Sequence, residues 1–172
     1  MRTKKFLMMF LAIIALSFFC SSLAMGANKV GYIDLGKVFD DYQKAKDFDT
    51  VLEKEKQEMQ TKRDQMVADI RKLKDGLELL NEEAKAKKQE GIDQKIKDLQ
   101  DFDREVSTEL KQKYDSKVRE ILKEIDNTIK EYGAKEKFDI IFDDRALLYG
   151  DESMDATSPI LKILNANYKG KP

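Results

Sequence analysis

Two long runs of helical periodicity, separated by a polar segment, constrain this chain more than any other feature. The first run has apolar residues every seven positions, at Leu52, Met59, Met66, Leu73 and Leu80. Beyond residue 91 the period becomes eleven, as in the series Leu99, Leu110, Ile121 and Tyr132. Both periods place apolar side chains on one face of a helix. The pattern therefore predicts two long helices.

The segment between the runs, residues 81–91, has no large apolar side chain and ends at Gly91. The flanking runs, residues 46–80 and 92–129, are similar in length, so we expect the chain to reverse direction between them. Each helix would reach on the order of 55 Å. The prediction is a long antiparallel α-helical hairpin resembling a coiled coil, an arm over residues 46–130 with its tip near 81–91. The apolar stripe along which the two helices would meet is called the seam here. Lys56 and Arg63 occupy alternate positions of this seam and weaken it near the base of the arm.

The two ends of the chain predict a small β-containing body, residues 27–45 plus 131–172, so the fold class is α+β. Asn28–Ile33 is β-prone, and Asp34 can cap a following helix whose apolar face includes Val38 and Phe39. Gly133 is expected to end the second long helix. Residues 138–142 and 146–149 predict a β-hairpin, and Ser158 with Pro159 predicts the start of a last helix.

A body of this size cannot bury a large core, and small domains without disulfides or metals rely on partners. We therefore expect the body to oligomerise through apolar residues of its strands. The candidates are Val30, Tyr32, Ile33, Ile140, Phe142 and Leu148.

The N-terminus predicts a cleaved signal peptide over residues 1–26. Three basic residues precede an apolar run from Phe6 to Phe19, which is short for a transmembrane helix. An uncleaved anchor is the alternative. A lipoprotein at Cys20 is disfavoured because Phe19, rather than a small residue, precedes it. The predicted location is the periplasm.

Composition argues against most chemistry. Beyond residue 26 the chain has no cysteine, histidine or tryptophan, which excludes disulfides, histidine catalysis and ordinary zinc sites. It keeps 29 basic side chains against 33 acidic ones, too balanced for a nucleic-acid surface. The spacing of Asp151, Glu152 and Asp155 fits no EF-hand calcium loop. We predict no enzyme activity, no cofactor and no metal.

Some side chains of the arm are candidates for contact with partners. Met59, Met66, Ile70 and Leu77 lie on the seam, where flexible methionines suit an adaptable binding surface. For Met59 and Met66, packing against the opposite helix is the alternative. Basic residues near the tip could touch a membrane surface or form an ordinary solvated face.

The layout resembles the Skp, or OmpH-like, periplasmic chaperones over the whole chain beyond the signal. The motifs that carry this resemblance are Lys29-Val30-Gly31-Tyr32-Ile33-Asp34-Leu35, Phe138-Asp139-Ile140-Ile141-Phe142-Asp143, Ala146-Leu147-Leu148-Tyr149 and Asp155-Ala156-Thr157. The resemblance implies a homotrimer with a central β-body and three arms around a cavity. It also implies clients that are unfolded outer-membrane proteins, held without ATP. The arm departs from strongly basic members, since residues 46–130 carry 20 basic and 22 acidic side chains.

The predicted function is thus an ATP-independent periplasmic holdase that binds unfolded outer-membrane proteins in a cavity between the arms of an oligomer. A non-enzymatic periplasmic coiled-coil adaptor or spacer is the alternative. The interrupted seam at Lys56 and Arg63 favours a pliant arm over a rigid rod.

Overall fold

The computed structural model describes residues 28–77 and 81–170. The predicted signal peptide lies outside these ranges. In chain order the elements are strand β1 (Val30–Ile33), helices α1 (Leu35–Asp41), α2 (Gln43–Asp75) and α3 (Glu82–Glu136), strand β2 (Ile140–Asp143), two 3-10 turns (Asp144–Ala146 and Glu152–Met154) and helix α4 (Thr157–Asn167). A mainly helical chain with a small sheet confirms the α+β class in its coarse form.

The sheet consists of β1 and β2, which pair in parallel with Val30 opposite Ile140 and Tyr32 opposite Phe142. The predicted β-hairpin of residues 138–142 with 146–149 is wrong. Residues 144–146 form a 3-10 turn instead, because the Asp143 carboxylate accepts hydrogen bonds from the backbone and guanidinium of Arg145. Residues 147–149 leave this turn without joining a strand.

The junction between β1 and α1 follows the prediction. The Asp34 carboxylate accepts a hydrogen bond of 2.7 Å from the backbone N–H of Lys37, so Asp34 caps α1. A break that the periodicity does not signal separates α1 from α2 at Tyr42, whose backbone is extended. The first N–H of α2, on Gln43, donates to the side chain of Asn165 at 2.8 Å. The C-terminal helix therefore caps the start of the long helix.

The core lies where α1, the root of α2, the second half of α3 and α4 meet. The predicted apolar face of α1 is confirmed, since Val38 is buried there and Leu35 and Phe39 pack against the core. Tyr42 at the break and Ala45 in the first turn of α2 are buried beside them. The other buried members of the cluster are Ile33, Ile121, Ile125, Ala156, Ile160 and Leu164. Each large aliphatic side chain that is fully buried contributes about 1.5–3 kcal/mol. Two of these residues, Ile121 and Ile125, come from the range that was predicted as arm.

Beyond the core, α2 and α3 run alongside each other and are called the helical pair here. Lys44 contacts Glu124, Glu55 contacts Lys113, and Arg63 contacts Asp103. Residue numbers therefore rise along α2 while they fall along α3. No helix within residues 28–77 and 81–170 is both long and apolar enough to cross a membrane.

The ends of α3 differ from the prediction. The helix begins at Glu82, capped by the Asn81 side chain, which accepts a 3.0 Å hydrogen bond from the N–H of Ala84. Residues 82–91 are thus helical rather than a tip, because an asparagine followed by two glutamates is a favourable helix start. Gly133 does not end the helix, which continues to Glu136.

The true end of α3 is Lys137, which adopts a left-handed conformation with φ 61°. This is the capping geometry that glycine usually provides. The last helix also starts earlier than predicted, at Thr157, with Ala156 at its cap position and no side-chain cap. Ser158 does not cap it, because Ser158 is already the second residue of the helix. The N–H of Thr157 donates to the Asp155 carboxylate at 2.8 Å, and the Thr157 hydroxyl accepts a 2.9 Å hydrogen bond from the N–H of Asp34.

Candidate binding surfaces

The sheet leaves one apolar face uncovered. Ile140 and Phe142 are 47% and 40% exposed, and their partners Val30 and Tyr32 are partly buried. Ile33 points the other way and is only 4% exposed within the chain's own core. Ile33 is therefore not available on this face, although it was predicted among the oligomerisation residues. The remaining strand residues of that prediction share one face.

The segment that follows the first 3-10 turn exposes more apolar surface. Leu148 is fully exposed and Tyr149 is 83% exposed, so nothing in the described chain covers either side chain. Gly150 then passes over the ring of Tyr32, where a Cβ atom would come within 2.5 Å of ring carbon Cε1. Tyr149 was missed by the sequence reasoning, although its place next to Leu148 in an apolar stretch could have indicated it.

The helical pair is tightly packed at its ends and loosely packed in its middle. On α2, Leu52 and Ile70 are buried, and the predicted client-contact residues Met59 and Met66 between them are only partly buried. On α3 no described residue between Ile92 and Ile121 is buried. Of the other predicted client-contact residues, Ile70 is 8% exposed and Leu77 is partly buried at the edge of the described range.

Charged contacts accompany partly buried apolar side chains in this middle section. The Arg63 guanidinium lies 3.0 Å from the Asp103 carboxylate, and Lys113 pairs with both Glu55 and Glu109. The hydrogen bonds that the Lys113 ammonium donates to Glu55 and Glu109 raise its pKa. Exposed pairs of this kind contribute little to stability, because water and salt screen them. The middle of the pair is consequently held weakly.

An open groove of about 770 Å³ runs between the two helices near the root of the pair. Its apolar lining comes from Phe48, Val51 and Leu52 of α2, and charged residues including Glu55 and Lys113 border it. Val51 is 63% exposed. The groove combines an apolar wall with charges of both signs.

A polar cluster joins α2 to α3 next to the core. The Lys44 ammonium lies 2.8 Å from Glu120 and 2.5 Å from Glu124, and the hydroxyl of Tyr42 donates to Glu124 at 3.1 Å. Burial and the Glu124 carboxylate raise the pKa of Tyr42 to about 12. Burial alone would lower the pKa of Lys44, but the hydrogen bonds with both glutamates outweigh it and raise that pKa. This cluster fixes the root of the helical pair.

The acidic residues considered for calcium serve local turns. The Asp151 carboxylate accepts from the backbone and hydroxyl of Ser153 at 2.9 and 2.6 Å, and that of Asp155 accepts from the N–H of Thr157 at 2.8 Å. Within the described ranges, no group of three histidine, cysteine or carboxylate side chains could hold a metal ion.

Comparison with known proteins agrees with this architecture. A family model described as outer membrane protein (OmpH-like) matches residues 29–164. The fold resembles that of a candidate outer membrane chaperone (OmpH-like) from Caulobacter crescentus CB15, with a TM-score of 0.79 and 14% sequence identity over 86% of this chain and 89% of that one. No curated protein matches the sequence.

Proposed function

Because the chain belongs to the OmpH-like family, we propose that it is an ATP-independent periplasmic holdase chaperone that binds unfolded outer-membrane proteins between the arms of a homo-oligomer. The observation that carries this proposal is the contrast between a small core with an uncovered apolar face and a long, loosely packed helical pair. Members of this family are not enzymes, so the prediction that the chain is not an enzyme is confirmed.

The oligomer assembles through the uncovered face of the sheet and residues 147–149 beside it. One edge of β2 is occupied by β1, and within the described residues its other edge has no strand partner. Residues 147–149 belong to no strand in the same chain, and the side chains of Leu148 and Tyr149 are exposed. An unpaired strand edge of one copy and such a segment of another copy can pair with each other. Three copies arranged in this way give the homotrimer that the resemblance implies.

The helical pair acts as an antiparallel hairpin arm within residues 46–130. Residues 27–45 and 131–172 form the body together with the part of α3 that carries Ile121 and Ile125. With 55 residues, α3 reaches about 80 Å from end to end. Arms of this length can surround an unfolded chain. Their weakly held middle sections let side chains such as Met59 and Met66 turn toward clients of different shape. Contact of the arm tips with a membrane surface belongs to the same proposal.

The test is the aggregation of an unfolded outer-membrane protein. A urea-denatured client is diluted into buffer with and without the mature protein, in the absence of ATP, and light scattering is recorded. Scattering should fall to near the buffer baseline once the molar concentration of the oligomer equals that of the client. The natively folded barrel in detergent serves as a control and should form no complex. Unchanged aggregation in the presence of excess protein would refute the holdase function. The coiled-coil adaptor or spacer would then be the remaining hypothesis.

A further inference from the structure

A second groove lies between α1 and α3, and Asp144 and Arg145, which follow β2, complete its lining. It shares no lining residue with the groove between α2 and α3. Its volume is about 410 Å³, which suits one or two large side chains. Tyr114 and Leu122 on its wall are 45% and 39% exposed. The apolar lining of this α1–α3 groove comprises Leu35, Phe39, Tyr114, Val118 and Leu122.

The rim of the α1–α3 groove is acidic. Asp34, Asp40 and Asp144 line it together with one cation, Arg145. That guanidinium is already engaged by Asp143, with Nε and Nη2 at 2.9 and 2.6 Å from its two carboxylate oxygens. Within residues 28–77 and 81–170, none of the three rim carboxylates forms an ion pair. Desolvation and the nearby charge of Asp34 raise the pKa of Asp144.

We propose that the α1–α3 groove binds segments of unfolded clients in which an arginine or lysine adjoins an aromatic or aliphatic side chain. This inference rests on the proposed holdase function and adds a sequence preference to it. The apolar floor takes the anchor side chain, and the rim takes its cationic neighbour. Phe39 and Tyr114 line the groove, and aromatic side chains favour a neighbouring guanidinium. Three carboxylates disfavour acidic segments at the same place.

A second copy of this chain fits the groove less well. Its most exposed apolar side chains, Leu148 and Tyr149, are followed within three residues by Asp151 and Glu152. Docking that segment would bring carboxylates against an acidic rim. The preceding cation, Arg145, is held by Asp143 in its own chain. Charge complementarity therefore favours a cationic client segment.

Gly36 offers a way to fill the groove without disturbing the fold. It lies on the groove wall in the first turn of α1, and a Cβ atom there would meet only the Asp34 carboxylate, at 3.4 Å. Gly36→Leu should therefore be tolerated and should occupy the groove with its own side chain. Gly91→Leu is the matched control, because it is also helical and its Cβ would meet nothing within 4 Å.

The probes are two fluorescein-labelled peptides in which leucine and phenylalanine alternate with either arginine or glutamate, and binding to the full oligomer is measured by fluorescence anisotropy. The arginine peptide should bind about tenfold more tightly than the glutamate peptide. Gly36→Leu should lower the affinity for the arginine peptide by about tenfold, whereas Gly91→Leu should leave that affinity unchanged. The double substitution Asp40→Asn with Asp144→Asn should reduce the preference between the peptides.

Equal affinity for both peptides, or unchanged binding by Gly36→Leu, would overturn the inference. A loss of oligomer mass in Gly36→Leu would also overturn it, since a second copy would then occupy the groove. The wild-type protein is assayed in parallel for suppression of client aggregation. If it suppresses aggregation while the peptide results fail, only the groove assignment is wrong. If it does not suppress aggregation, the holdase function itself fails.

Discussion

Gly31 is a position in β1 where no side chain larger than hydrogen fits. A Cβ atom there would lie 2.6 Å from Cε1 of Phe138 and 3.1 Å from the carbonyl oxygen of Met154. The Phe138 ring cannot move aside freely, because the Lys29 ammonium lies 4.1 Å from its centre and the ring of Tyr132 lies 5.9 Å away. The close approach of these groups requires glycine.

We therefore expect Gly31→Ala to lower the free energy of unfolding by about 1–3 kcal/mol, as overpacking usually does. Gly91→Ala, at an open helical site, should raise it by about 0.5–1 kcal/mol through helix propensity. Urea unfolding of both variants tests this pair of predictions. A neutral Gly31→Ala would mean that Phe138 does not pack on β1.

Lys44 holds the root of the helical pair by electrostatic contacts that depend on pH. Hydrogen bonds from Lys44 and Lys117 lower the pKa of Glu120 below its ordinary value of 4.5. Because the folded-state pKa is the lower one, this stabilisation is fully present above about pH 4.5. It is lost as the pH falls through the folded-state value.

Lys44→Met should therefore destabilise the protein at pH 7 by about 1 kcal/mol, a modest figure because both glutamates are more than a third exposed. The difference from wild type should shrink at pH 3. Thermal unfolding at the two pH values measures it. Lys130→Met, which removes an exposed pair with Asp126, is the control and should have little effect at either pH. A pH-independent difference would indicate that Lys44 acts by packing alone.

At the scale of elements, the small sheet has too few residues of its own chain packed on it to cover both of its faces. Phe142 is 40% exposed on the uncovered face, and Val67 on α2 is exposed to a similar extent, at 39%. If copies assemble through the sheet, a charge at Phe142 would be buried in the interface at high cost. Phe142→Asp should yield monomers in light scattering, and Val67→Asp should keep the wild-type mass. Loss of assembly in both variants, or in neither, would show that the interface between copies does not lie on the sheet.

At the scale of the whole molecule, the arm can be removed without damage to the core only if the deletion leaves every core residue in the chain. Removing residues 46–130 would delete Ile121 and Ile125 from the core, so that shortened chain should fail to fold. Removing residues 56–112 keeps both, and the ion pair of Glu55 with Lys113 brings the cut ends close enough for a short glycine linker.

The chain lacking residues 56–112 should remain oligomeric and lose its suppression of client aggregation. The readouts are the mass in solution and the light scattering of a denatured outer-membrane protein. Circular dichroism with a cooperative thermal transition controls for folding. A monomeric product, or full protection of clients without the arms, would contradict the division into body and arm.

The long helices, the Asp34 cap and the apolar face of α1 could be predicted from the sequence because each depends on residues within a few turns of one another. Helical periodicity and capping are local properties of the chain. The same local signals predicted β-prone segments at 28–33 and 138–142, and the strands Val30–Ile33 and Ile140–Asp143 overlap them. The misplaced ends of α3 came from competing local signals, since Gly133 is a common helix end and Lys137 is an unusual one.

Tertiary structure alone decided which segments pair and which faces are left open. The sequence does not show that β2 pairs with β1 rather than with residues 146–149, because both pairings satisfy the same local preferences. The break at Tyr42 depends on Asn165, which is distant in the chain. The burial of Ile33 and the α1–α3 groove likewise depend on elements more than 70 residues apart. Several distant segments could satisfy the same local preferences, and packing in the folded chain selects one of them. A local sequence pattern cannot show which segment is selected.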